Sequence, residues 1–149
     1  MQRLLVVTLI ALLATSCGAP PDPSTEAVVT PGSEVYLPRY HPMDALPAAE
    51  IRGRLVEDDG CLWIEGPDGR VVPLWPPGSR IERDGASLVV VNSGGARAVV
   101  GTEVVGGGGE YGGPGHLDVV FEAIGEEVPD RCRGDDHYWL VYDVRPPDE

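Results

Sequence analysis

The residues of this 149-residue chain that could do chemistry are three histidines, a few serines and many carboxylates. Asp135-Asp136-His137 joins carboxylates to an imidazole, a donor set that suits a divalent metal. Two more ligands would have to come from elsewhere, from His116 or from the Glu57-Asp58-Asp59 turn. The simpler reading is a solvated turn leading into the last strand, and no metal site is assigned. Nucleophilic catalysis needs a Ser or Cys beside a base that a third group orients. His41 lies in a proline-rich stretch, and no nucleophile-elbow pattern surrounds Ser79, Ser87 or Ser93. No catalytic residue is therefore assigned. Gly107-Gly108-Gly109-Glu110-Tyr111-Gly112 formally matches GxGxxG. A dinucleotide loop, however, opens directly onto a helix inside a βαβ unit, and here Gly113-Pro114-Gly115 intervenes. The glycines read instead as turns or a bulge, and no cofactor is expected. Trp63, Trp75 and Trp139 would line a carbohydrate or peptide groove or, more commonly, pack within strands. Trp75, beside Pro76-Pro77, is the one expected to be partly exposed.

The charge narrows the partners. The chain has 24 acidic and 11 basic residues, a net charge of −13, and every basic residue is arginine. Such a chain repels phosphate backbones, so nucleic acid is not a partner. It is equally unsuited to charge-driven docking on anionic lipid heads.

The first residues carry an address. Met1-Gln2-Arg3 is a short positive start, and Leu4 to Leu13 is an uncharged run, apolar apart from Thr8. Ten residues of helix reach about 15 Å, half of a ~30 Å hydrocarbon core, so the run is a signal core rather than a membrane span. Ala14-Thr15-Ser16-Cys17 follows. This stretch resembles the lipobox of bacterial lipoproteins, with Ala14 where leucine is usual. The resemblance implies a signal peptide over 1–16, cleavage before Cys17, and a lipid attached to the Cys17 thiol. It places the chain on the extracytoplasmic face of the cell membrane, with membrane lipid as a partner through the Cys17 anchor. Each buried methylene of such an anchor contributes about 0.8 kcal/mol, and two or more acyl chains make the attachment stable. With Cys17 lipidated, Cys61 and Cys132 remain as a pair in an oxidising compartment.

Beyond the anchor, prolines at 20, 21, 23, 31, 38, 42 and 47 mark residues 17–50 as the lipidated cysteine and its spacer. Proline removes a donor and fixes φ, so this composition favours extended chain over ladder or helix. Val35 to Tyr40, with two tyrosines, either continues the spacer or packs on the domain. Residues 51–145 alternate short apolar segments with turn signals, the mark of an all-β domain, and 146–149 form a tail. The strands expected are Ile51 to Glu57, Cys61 to Glu65, Val71 to Trp75, Ser79 to Arg83, Ser87 to Val91, Arg97 to Val100, Thr102 to Val105 and Tyr138 to Val144. The last is apolar on both faces and so central. Gly106 to Gly115 reads as a glycine-rich loop. Leu117, Val120, Phe121 and Ile124 fall at i, i+3, i+4 and i+7, which favours a helix over a strand.

These elements predict a mainly β fold, a small closed or half-closed antiparallel barrel, OB-like, with one short helix and one disulfide. The segments CLWIE, PLWPPG and VVGTEVVGGGGEY resemble small β-rich lipoproteins of high-GC Gram-positive bacteria, over about residues 51 to 142. That resemblance implies a fold and no activity. The function expected is a non-catalytic, membrane-tethered module that binds an envelope protein or glycan. The alternative is an extracytoplasmic hydrolase or metal-dependent enzyme using His116 and His137 with nearby carboxylates.

Overall fold

The structure is a computed structural model that describes residues 35–113, 115–133 and 137–147. Cys17, the signal segment, the first part of the spacer, and Asp135 and Asp136 lie outside the described residues.

Three strands form an opening meander: β1 (Ala49–Asp58), β2 (Cys61–Gly66) and β3 (Gly69–Leu74). Asp59 and Gly60 both take positive φ, 50° and 75°, as a two-residue turn between twisted antiparallel strands requires. A separate antiparallel sheet follows, built from β4 (Arg80–Asp84), β5 (Ser87–Val91) and β6 (Arg97–Val99) in that order. The chain returns to the first sheet with β7 (Glu103–Tyr111), makes the helix α1 (Leu117–Ile124) and a 3₁₀ turn at Asp130–Cys132, and ends in β8 (Tyr138–Arg145).

The first sheet closes. Its order is β1-β2-β3-β8-β7, and β7 pairs back onto β1 from Ala49↔Gly108 to Arg54↔Glu103. Only β3 and β8 run parallel; the other neighbours are antiparallel. The five-strand order, with the parallel third and fifth strands, is the OB-like arrangement expected, and the β4–β6 sheet is inserted before its fourth strand. β8 is central, between β3 and β7.

Two cores flank this wall because its strands alternate. Along β1, Gly53 and Leu55 are buried while Arg52 and Arg54 are exposed, so the odd face looks inward. Leu55, Leu62, Ile64, Val104, Val141 and Val144 meet there, joined at one end by Trp75, Val90 and Ala98. The other core lies outside β2, β3 and β8. There Trp63, Val72, Leu74, Tyr138 and Leu140 pack under Val120 and Ile124 of α1 and under Tyr40. Both faces of β2 are covered, which is why Cys61 to Ile64 is apolar without alternation.

One element departs from the sequence expectation, and a second takes one of the two courses that the sequence left open. The stretch read as a glycine-rich loop is strand through Tyr111, with a register irregularity at Gly107/Gly108. Strand propensity penalises glycine, but here the missing Cβ atoms admit neighbours: Pro47 lies on Gly109 and the Tyr142 ring on Gly107. The segment from Val35 to Tyr40 is part of the folded body. Tyr36 bridges to Cys61 and Arg39 to Trp75, and the Pro38 carbonyl accepts a hydrogen bond from the Trp75 amide at 2.8 Å. Its prolines forbid a full ladder but not isolated bridges.

The helix is as the spacing predicts. It ends at Gly125, whose left-handed φ of 71° lets its amide reach the Phe121 carbonyl at 2.8 Å. Cys61 and Cys132 form the disulfide, 71 positions apart, tying the 3₁₀ turn to the start of β2.

Candidate binding site at the barrel mouth

All five barrel strands send residues to one end. β1, β3 and β8 begin there, and β2 and β7 finish there. The opposite end of the interior is closed by Trp75 and the β4–β6 sheet. The near end is open, and a cavity of about 660 Å³ lies in it, larger than two elsewhere of about 440 and 320 Å³. The mouth of a barrel is a recurrent place for small ligands, and this volume falls within the usual range.

Its floor is apolar. Ile51, Val71 and Trp139 lie near the starts of β1, β3 and β8, and each continues the inner core outward. The Gly66-Pro67-Asp68-Gly69 hairpin forms one side, where proline presets φ and Gly69 supplies the positive φ. Glu110, near the end of β7, and His137, just before β8, form the other side. Glu50 and Arg52 complete the rim.

Several of the charges on this rim have partners, while the Asp68 carboxylate has no ion-pair partner among the described residues. Arg52 Nε holds Glu50 Oε1 at 2.9 Å, and Arg145 approaches the same carboxylate at 3.8 Å. His137 Nδ1 faces Glu110 Oε1 at 3.4 Å. Arg70 also lines the cavity, but its guanidinium is engaged elsewhere: it pairs with Asp58 at 3.3 Å and lies 4.1 Å over the Trp63 ring. Trp139 is only partly buried, yet its indole Nε1 is closed off from solvent without a hydrogen-bond partner among the described residues. The nitrogen lies against Gly108. The ring therefore shows the mouth its carbon surface.

No family model matches this chain. No curated protein and no solved structure matches it either.

The other residues singled out by sequence are dispersed. His137 reaches the mouth. His116 is the residue before α1, and among the described residues its ring has no hydrogen-bond or ion-pair partner. The His41 ring packs on Gly125 at the end of α1. Ser79 is buried, while Ser87 and Ser93 are exposed outside the mouth. Glu57, Asp58 and Asp59 sit at the turn joining β1 to β2, away from the mouth. Among the described residues no three His, Cys, Asp or Glu side chains are grouped to hold a metal. Trp75 is the correction among the tryptophans. It is fully buried at 0% exposure, because Arg39 bridges to its backbone and the β4–β6 sheet covers its ring. Trp139 is the tryptophan at the surface. Ile51, Val71, Glu50 and Glu110 carry no signal in the sequence, since only the strand order makes them neighbours.

Proposed function

We propose that this chain is a lipid-anchored envelope lipoprotein whose barrel is a non-catalytic binding module, with the mouth as its binding surface. The observation that carries this reading is the open cavity of about 660 Å³ to which every barrel strand contributes, floored by Ile51, Val71 and Trp139. A hydrolase would find an imidazole–carboxylate pair there in His137 and Glu110. It would find no Ser, Thr or Cys side chain among the residues lining the cavity.

The path of the chain supports the same reading. Val35 and Tyr36 lie beside Gly60 and Cys61, at the end of the barrel opposite the mouth. A tether that joins the barrel there leaves the mouth facing away from its point of attachment. Seventeen residues separate Cys17 from Val35, a span of at most about 60 Å when fully extended.

Two experiments test the reading. Metabolic labelling with a fatty-acid probe should mark the wild-type protein and not Cys17→Ala; an unlabelled wild type refutes the anchor. A photo-crosslinking amino acid placed at Asp68 should capture an envelope component in whole cells, while the same probe at Asp84 on β4 should not. Equal capture from both positions, or none from Asp68, refutes the mouth as the binding surface.

A further inference from the structure

The mouth's chemistry selects among ligands. An anion would need an unmatched cation, yet the two arginines lining the mouth, Arg52 and Arg70, pair with Glu50 and Asp58, and the Glu50, Asp68 and Glu110 carboxylates and the chain's charge of −13 oppose it. A divalent metal would need converging donors, and no such group occurs among the described residues. An extended peptide would dock by adding a strand to an open edge, but the barrel is closed on itself and offers none at this end. What the mouth presents is the carbon surface of one indole, lining it together with Ile51 and Val71, and ringed by carboxylates and guanidinium groups. Those carboxylate and guanidinium groups still have free lone pairs and N–H bonds at their edges.

A pyranose ring has the complementary form. One face carries C–H bonds that rest on an aromatic surface, and its edge carries hydroxyls that both donate and accept hydrogen bonds. It has no net charge to be repelled, and it can hydrogen-bond to an ion pair without breaking it. We infer that the mouth is a binding site for an uncharged saccharide, with Trp139 as the stacking platform and the Glu50–Arg52 and Glu110–His137 pairs as hydrogen-bonding partners for its hydroxyls. This rests on the reading of the mouth as the binding surface and gives it a ligand class.

The test uses the full chain in detergent with three neutral probes: N,N′-diacetylchitobiose, cellobiose and maltose. Saturation-transfer NMR should show ring C–H protons of at least one disaccharide receiving saturation from the protein. Indole emission should change with it, since Trp63 and Trp75 are 2% and 0% exposed and Trp139 is the tryptophan within reach. Trp139→Leu, which keeps an apolar side chain in the floor, should weaken binding about tenfold. Val99→Ser, on the exposed face of β6, should leave it unchanged. The emission change in the unmutated chain decides the matter if Trp139→Leu fails to fold. The inference is overturned if none of the three sugars gives saturation transfer, or if a folded Trp139→Leu binds as well as the wild type. Capture of a protein through Asp68, with no response to the sugars, would leave the binding module standing and remove the saccharide.

Discussion

The indole nitrogen of Trp139 lies 2.7 Å from where a Cβ on Gly108 would stand. The same Cβ would run into the Leu140 carbonyl of the paired strand. The glycine is therefore what allows the ring to settle against β7 with its nitrogen inward. Gly108→Ala should destabilise the barrel by about 1–3 kcal/mol, the usual cost of overpacking, and at the upper end because backbone cannot step aside. It should also turn Trp139 outward. Urea unfolding gives the first quantity, and a red shift of the indole emission reports the second. Unchanged stability and emission would show that the ring is not seated on this glycine.

The disulfide constrains a loop of 71 positions that contains β3 to β7 and the helix. In the chain-entropy model, closing a loop of that length stabilises the fold by about 4 kcal/mol, chiefly by restricting the unfolded chain. Replacing both Cys61 and Cys132 by alanine should lower the unfolding free energy by about that amount. Reductant should weaken the wild type and leave the double variant where it was. Matching urea midpoints for wild type and double variant without reductant would contradict this.

Much of the barrel is legible in local patterns of residues. The Asp59-Gly60 and Gly66–Gly69 turns, the two-faced strands β2 and β8, and the spacing of Leu117 to Ile124 each express nearest-neighbour physics, so each can be read directly from the chain. Gly106 to Gly109 misleads because its strand depends on Trp139, Tyr142 and Pro47, which come from elsewhere in the chain. Trp75 misleads for the same reason: the adjoining Pro76-Pro77 suggests a turn at the surface, while distant β5 and β6 bury the ring. The mouth is illegible because Ile51, Val71, Glu110 and Trp139 are scattered along the domain with no common motif. Their meeting needs the closure of β7 on β1 and the parallel pairing of β3 with β8.

Two tyrosines make the fold sensitive to alkali. Burial, followed by the nearby Glu126 carboxylate, pushes the Tyr36 phenol well above its ordinary value of 10.0. Burial also raises Tyr40, whose hydroxyl donates to the Val141 carbonyl at 3.3 Å. The folded state thus favours the neutral phenols. Their contribution is complete below pH 10, where the unfolded phenols are also neutral. It is lost as pH rises above 10 toward the folded values, because the unfolded chain ionises first. Tyrosinate absorbance should show Tyr36 and Tyr40 ionising at higher pH in the folded protein than in the unfolded chain, and the urea midpoint should fall above pH 10. Tyr36→Phe should reduce that fall. A midpoint that holds steady through this range would mean the phenols ionise as readily folded as unfolded.

Arg70 shields the outer core. Its guanidinium lies 4.1 Å over the Trp63 ring and pairs with Asp58 at 3.3 Å, and Trp63 is only 2% exposed. The pair with Asp58 is open to solvent and contributes little. The planar cation on the indole face is worth about 0.5–1 kcal/mol at such a site, and the aliphatic stem covers carbon besides. Arg70→Ala should cost about 1 kcal/mol and increase quenching of Trp63 by acrylamide. Arg70→Lys should restore part of the stability and little of the protection, since an ammonium cannot lie flat on the ring. Asp58→Asn leaves the stacking in place and should change neither quantity appreciably. If Asp58→Asn instead matches Arg70→Ala, the ion pair rather than the stacked cation holds this edge of the barrel.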